Sequence, residues 1–102
     1  MTSLPRSAVV YTRTVEFSES TVPTALLRRH TTKPGVWGRI RVVAGSLRYR
    51  ILAPTVTDHI LSPERPGVIE PEVPHEVLPL GPVRFYVEFL REDGTGSLPG
   101  AR

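Results

Sequence analysis

The chain of 102 residues has no cysteine, one methionine, one tryptophan and a single lysine. Without cysteine there is no disulfide and no thiolate metal site, and nothing marks an oxidising compartment. No apolar run approaches the ~20 residues that a membrane-spanning helix needs. The first ten residues hold no signal-peptide core, because Ala8-Val9-Val10-Tyr11 is too short an apolar stretch. A cytoplasmic location is therefore expected. No Gly-rich loop of the phosphate-binding kind occurs, nor an arrangement that marks a serine or cysteine nucleophile.

What is abundant is turn chemistry: eleven prolines and eight glycines among 102 residues. Such a load breaks long helices and favours short strands joined by tight turns. The 39% of hydrophobic residues is enough for one small core and one domain. Net charge is +3, with twelve arginines beside Lys33, a mild excess for a nucleic-acid binder.

Residues 1–8 read as a lead-in, 9–92 as the folded domain and 93–102, rich in Gly and polar residues, as a flexible tail. Val9 to Phe17 alternates as a strand. Thr24 to Arg29 reads as a helical turn, capped by Ser20 or Thr21 with Pro23 in its first turn. Val36–Val43 and Leu47–Leu52 read as two arms of a hairpin about Ala44-Gly45-Ser46. Val56–Leu61, Gly67–Ile69, His75–Leu78 and Val83–Leu90 follow, the last two linked by Pro79-Leu80-Gly81-Pro82. Seven or eight strands at ~8–12-residue spacing point to a sandwich or barrel. In the last strand Phe85, Val87 and Phe89 share one face, and Tyr86 and Glu88 the other.

The run His30-Thr-Thr-Lys33-Pro-Gly35-Val-Trp37-Gly38, then Val42-x-x-Gly45-x-Leu47-x-Tyr49, then Ile69-x-Pro71-x-x-Pro74-His75-x-Val77, then Phe85-Tyr86-Val87-Glu88-Phe89, resembles a family of small single-domain cupins. That family is similar to the N-terminal domain of the tellurite-resistance protein TehB and includes stand-alone stress proteins of the YeaR type. The resemblance covers residues 9 to 92. It implies an all-β, cupin-type jelly-roll barrel (a double-stranded β-helix) with a metal site near one mouth, and a role in tellurite or nitrosative stress. Small cupins often pair through edge strands, so a homodimer is expected. TehB-like chains can continue into a methyltransferase that uses S-adenosylmethionine; these 102 residues hold no fingerprint of one, and methyl transfer is not expected of them.

Within the resemblance, His30 and His75 are the candidate metal ligands and Glu72 the candidate third, for one divalent ion: Zn, Fe, Mn or Ni. Glu88, Lys33, Trp37 and Tyr86 are placed in the pocket or behind the ligands. Each also has an ordinary structural reading: Glu72 as a solvated turn residue, Glu88 as a salt-bridge partner of Arg41 or Arg84, Lys33 as an exposed turn lysine, Trp37 and Tyr86 as packed strand aromatics. Two departures from the family stand out. Pro74 replaces the aromatic that usually precedes the second histidine, and Thr32 stands where a His-x-His motif would carry its second imidazole. His59 lies in a variable strand and is not expected to ligate.

Three functions follow. A metal-centred enzyme could carry out dioxygenation, isomerisation or detoxification, with Glu72 or Glu88 as base. A non-catalytic module could bind or sense a small anionic ligand. A nucleic-acid surface could form from Arg39, Arg41, Arg48 and Arg50 if the hairpin arms lie side by side; no recognition helix or stacking motif supports that third reading.

Overall fold

A computed structural model describes residues 1–92. The expected tail, 93–102, lies outside the described residues. The chain is all-β. Its elements are β1 (Ala8–Arg13), β2 (Phe17–Ser18), a 3-10 turn (Thr24–Leu27), β3 (Trp37–Ile51), β4 (Thr57–Leu61), β5 (Gly67–Ile69) and β6 (His75–Glu92). All strand pairings are antiparallel. The hydrogen-bonded order is β1-β6-β3-β4, with β2 also on β6 and β5 also on β3. Among the described residues this order does not close on itself, so the sheet is antiparallel and open.

The largest difference from the sequence reading is the hairpin. β3 (Trp37–Ile51) is one long strand, and so is β6 (His75–Glu92); the two pair from Trp37↔Leu90 to Ile51↔His75. Gly45 therefore marks no chain reversal. The register slips between Val42 and Ala44 and again between Gly45 and Leu47. Before the slips Gly38, Ile40 and Val42 point inward; after them Leu47 and Tyr49 do. The change from even to odd positions is what a β-bulge produces, because one extra residue flips every side chain beyond it. On β6, Pro79 and Pro82 flank the same bulge, where a missing N–H is tolerated. The Val83 N–H there is held by the Glu19 carboxylate at 2.9 Å.

The expected strand 9–17 is likewise two pieces. β1 ends at Arg13, and Thr14 then bonds Val87 twice: its N–H donates to the Val87 carbonyl at 2.9 Å, and its hydroxyl accepts from the Val87 N–H at 3.0 Å. The helical turn is present but carries no side-chain cap, and Pro23 occupies the cap position.

The core comprises Ile40, Val42, Leu47, Tyr49, Leu61, Ile69, Val77, Val83, Phe85 and Val87, with Phe17, Leu26 and Phe89 packed against it. Of the face shared by Phe85, Val87 and Phe89, the first two belong to this core and Phe89 packs against it, partly buried. Burying each such side chain contributes about 1.5–3 kcal/mol. The Tyr49 hydroxyl, at the centre, donates to the Val68 carbonyl at 2.9 Å, and burial pushes the phenol well above its ordinary pKa.

Candidate functional site

The first residue of β6, His75, forms an isolated antiparallel bridge with His30, in the loop between the 3-10 turn and β3. The His30 N–H donates to the His75 carbonyl at 2.8 Å, and the His75 N–H returns to the His30 carbonyl at 2.9 Å. This reciprocal pair fixes both backbones, and it sets the imidazoles edge to face with centres 5.4 Å apart. Two residues 45 positions apart in sequence thus meet through the fold.

Each ring has a distinct state. His75 is 2% exposed, and its Nδ1 lies 3.0 Å from the Val73 carbonyl oxygen. A carbonyl only accepts, so Nδ1 carries the proton and Nε2 keeps its lone pair. Burial lowers the His75 pKa; the Val73 contact offsets this in part, and the neighbouring His30 adds to it. The neutral form is thereby favoured. His30 Nδ1 is buried and has no hydrogen-bond partner among the described residues.

The rings border a cavity of about 220 Å³ whose walls include Phe17, Leu26, Ile40, Phe85, Val87 and Phe89. The 3-10 turn covers it through Pro23, Ala25 and Leu26. A second hollow adjoins the first and shares His30, Thr32 and Phe89 with it; Tyr11, Lys33 and Arg91 are also in its wall. Lys33 and His30 thus line the same hollow.

The other candidates lie elsewhere. Among the described residues no three or more His, Asp or Glu side chains gather to hold a metal. Glu72 is exposed. Its backbone turns through a positive φ of 66°, and its N–H donates to the Thr32 hydroxyl at 3.3 Å. That hydroxyl in turn donates to the Val36 carbonyl at 2.7 Å. What ties this turn to the histidine loop is therefore Thr32 and the Glu72 backbone, while the Glu72 carboxylate points to solvent. Trp37 and Tyr86 line neither hollow; Tyr86 carries the Arg13 guanidinium 4.9 Å above its ring.

Glu88 is the salt-bridge residue. Its Oε1 accepts from Arg39 Nε at 2.6 Å and from Arg41 Nε at 3.2 Å. Burial alone would raise the Glu88 carboxyl, but the hydrogen bonds and charges of the two arginines outweigh it and hold the group below its ordinary value near 4.5. The unfolded chain therefore binds the proton more readily than the folded one. The stability Glu88 supplies is complete above pH ~4.5 and is lost as pH falls through the lowered folded value. Denaturant midpoints between pH 7 and 3 should fall less steeply in Glu88→Gln than in the parent; equal slopes would show that this ion pair does not contribute.

The arginines also answer the nucleic-acid reading. Arg39 and Arg41 share Glu88, while Arg50 is held by Asp58 in a two-point contact at 2.7 and 3.1 Å. Because β3 is continuous, Arg39 and Arg41 lie opposite Glu88 and Tyr86, and Arg48 and Arg50 lie opposite Leu78 and Glu76. The arms of the imagined hairpin do not lie side by side, and carboxylates neutralise much of the charge.

The TehB-like domain model matches residues 12–87, three quarters of the chain. The chain belongs to the TehB-like family. TehB from Haemophilus influenzae superposes with a TM-score of 0.80 at 23% identity, covering 88% of this chain but only 33% of that one. The chain thus spans about a third of that relative's length. A protein from E. coli strain K12 superposes with a TM-score of 0.82 at 22% identity, covering 91% of this chain and 99% of that one. At these identities the likeness is one of fold. No curated protein matches.

Sequence reading missed Arg91 and Tyr11 as neighbours of the site. Both lie on β1 or the end of β6, where alternation marks only an edge pair, and nothing local signals a cavity.

Proposed function

We propose that this TehB-like domain binds a small anionic ligand and that His30 and His75 anchor one divalent metal ion, Zn, Fe, Mn or Ni, beside the ligand cavity. The paired imidazoles carry this reading. One presents a buried, unpartnered nitrogen; the other has its tautomer set by a backbone carbonyl, as ligating histidines commonly do. With each ring nitrogen ~2.0–2.1 Å from an ion and the ring centre roughly 1 Å behind it, two imidazoles of a tetrahedral set stand about 5 Å apart. The 5.4 Å between these rings fits that spacing. The protein supplies two nitrogen donors, which leaves positions for water or ligand. When bound, such an ion acts as a Lewis acid towards an oxyanion or carbonyl.

His75 stays neutral by burial, and His30 is held by its backbone pair, so neither needs rearrangement to ligate. Thr32 fixes the loop that carries His30. Glu72 as a third ligand would need its turn to open, so the two-histidine set is preferred. The finer fold reading, a cupin-type jelly roll, is supported by the long β3–β6 ribbon. A role in tellurite or nitrosative stress, a cytoplasmic location and a homodimer joined at the edge strands β1 or β4 rest on the family resemblance.

Elemental analysis of the purified, tag-free protein tests the site. About one equivalent of metal is expected, lost in both His30→Ala and His75→Ala and kept in Arg39→Ala. No metal after growth in supplemented medium would overturn the metal centre. It would leave a metal-free binding module, the second reading, which the mostly hydrocarbon cavity wall favours.

A further inference from the structure

Granted that the cavity is a ligand site, whether or not it holds a metal, we infer that its ligand is an amphiphilic monocarboxylate. The hydrocarbon body occupies the inner cavity, and the carboxylate sits in the adjoining hollow between Lys33 and Arg91.

The inner cavity dictates the body. Its polar side chains other than the histidines are Thr14 and Thr32. Thr14 is spent on Val15 and Val87, and Thr32 on Val36 and Glu72. A polar ligand group placed there would lose its water and find few partners, which is strongly unfavourable. A hydrocarbon group meets Phe17, Leu26, Ile40, Phe85, Val87 and Phe89 instead. Size sets the class further. An apolar cavity of ~150 Å³ accepts benzene, so the 220 Å³ here takes a ring with a few carbons or a short alkyl chain.

The outer hollow dictates the head. Lys33 and Arg91 bring two cations to it, and its wall holds no carboxylate: the remaining side chains are Tyr11, His30, Thr31, Thr32, Val36 and Phe89. Neither Lys33 nor Arg91 is in an ion pair among the described residues, whereas Arg39, Arg41, Arg50 and Arg84 all are. Arg91 is instead steadied over the Tyr11 ring, 4.3 Å from its centre, which leaves its N–H groups for an anion. His30, Thr32 and Phe89 line both spaces, so the two are neighbours, and the assignment places one molecule across them.

The test is calorimetric titration of the full chain at neutral pH and low salt, where screening is weak. The probes are phenylacetate, 3-phenylpropanoate and 4-phenylbutanoate, their neutral amides, and acetate. At least one of the aryl acids should bind, with its amide and acetate each weaker by about tenfold or more. The Lys33→Ala/Arg91→Ala double variant should lose about tenfold for the acid and nothing for the amide. Both residues are exposed, so the variant keeps its fold; Lys33→Arg/Arg91→Lys should restore the preference. Equal affinity for acid and amide, an unchanged double variant, or no binding across the series would each overturn the assignment. Repeating the titration after chelation separates it from the metal centre. Carboxylate binding that vanishes with the metal, yet survives loss of both cations, would mean that the ion holds the head, leaving that centre standing and this assignment refuted.

Discussion

Gly45→Ala is expected to destabilise the protein by more than about 3 kcal/mol, far beyond the ordinary effect of one methyl group. Two independent causes coincide there. Gly45 has a φ of +84°, a conformation that raises the energy of an alanine by roughly 1–2 kcal/mol. A Cβ at this site would also fall on the Pro82 carbonyl oxygen and lie 3.0 Å from the Val83 Cα. These are backbone atoms of the paired strand at its bulge, so relief requires β3 and β6 to part where their register already slips. Gly81→Ala is the control. Gly81 has a φ of +102°, but its Cβ would meet nothing within 4 Å. It should show the backbone penalty alone, about 1–2 kcal/mol. The comparison is read from urea midpoints of the two variants beside the parent. Similar losses in both would mean that contact across the bulge is unimportant and that the ribbon gives way there easily.

That same glycine explains what could be read in the sequence and what could not. Alternation identified the inward face of β6 because Phe85, Val87 and Phe89 repeat at period 2, and no competing signal intervenes. Ala44-Gly45-Ser46 misled because a turn and a bulge use the same residue, a glycine at positive φ; only the pairing of Gly45 with Val83, 38 positions away, tells them apart, and local sequence does not contain that pairing. Glu72 entered as a candidate third ligand through the resemblance; its turn has a φ of 66° and the residue is exposed, features of backbone conformation that the local sequence does not spell out. The meeting of His30 and His75 was no easier to read. Nothing in their spacing implied it, and the family resemblance alone put them side by side. Arg91, which has no resemblance and no pattern to mark it, emerged only from the cavity wall.

Phe85→Ala should lower stability by about 3–5 kcal/mol, the range for deleting a buried aromatic ring. Phe85 is wholly buried at the centre of the core, packs on Phe17 with ring centres 5.7 Å apart, and forms part of the cavity wall. Its ring leaves behind a void that merges with the existing 220 Å³ cavity, so the surrounding strands have little nearby mass to collapse inward. The value should therefore fall towards the upper end of that range. For a domain of this length each kcal/mol moves Tm by ~4–8 °C, which puts the expected loss above about 12 °C. Phe17→Ala should cost less, because Phe17 is only half-buried on the two-residue strand β2. The double variant should be less damaging than the sum, by about 0.5–1.5 kcal/mol, since the ring–ring contact can be lost only once. Strict additivity would mean that the two rings do not depend on each other, and that the β2 segment, with the 3-10 turn behind it, covers the cavity without being anchored to its floor. A ligand could then enter by lifting that segment alone, with β6 undisturbed.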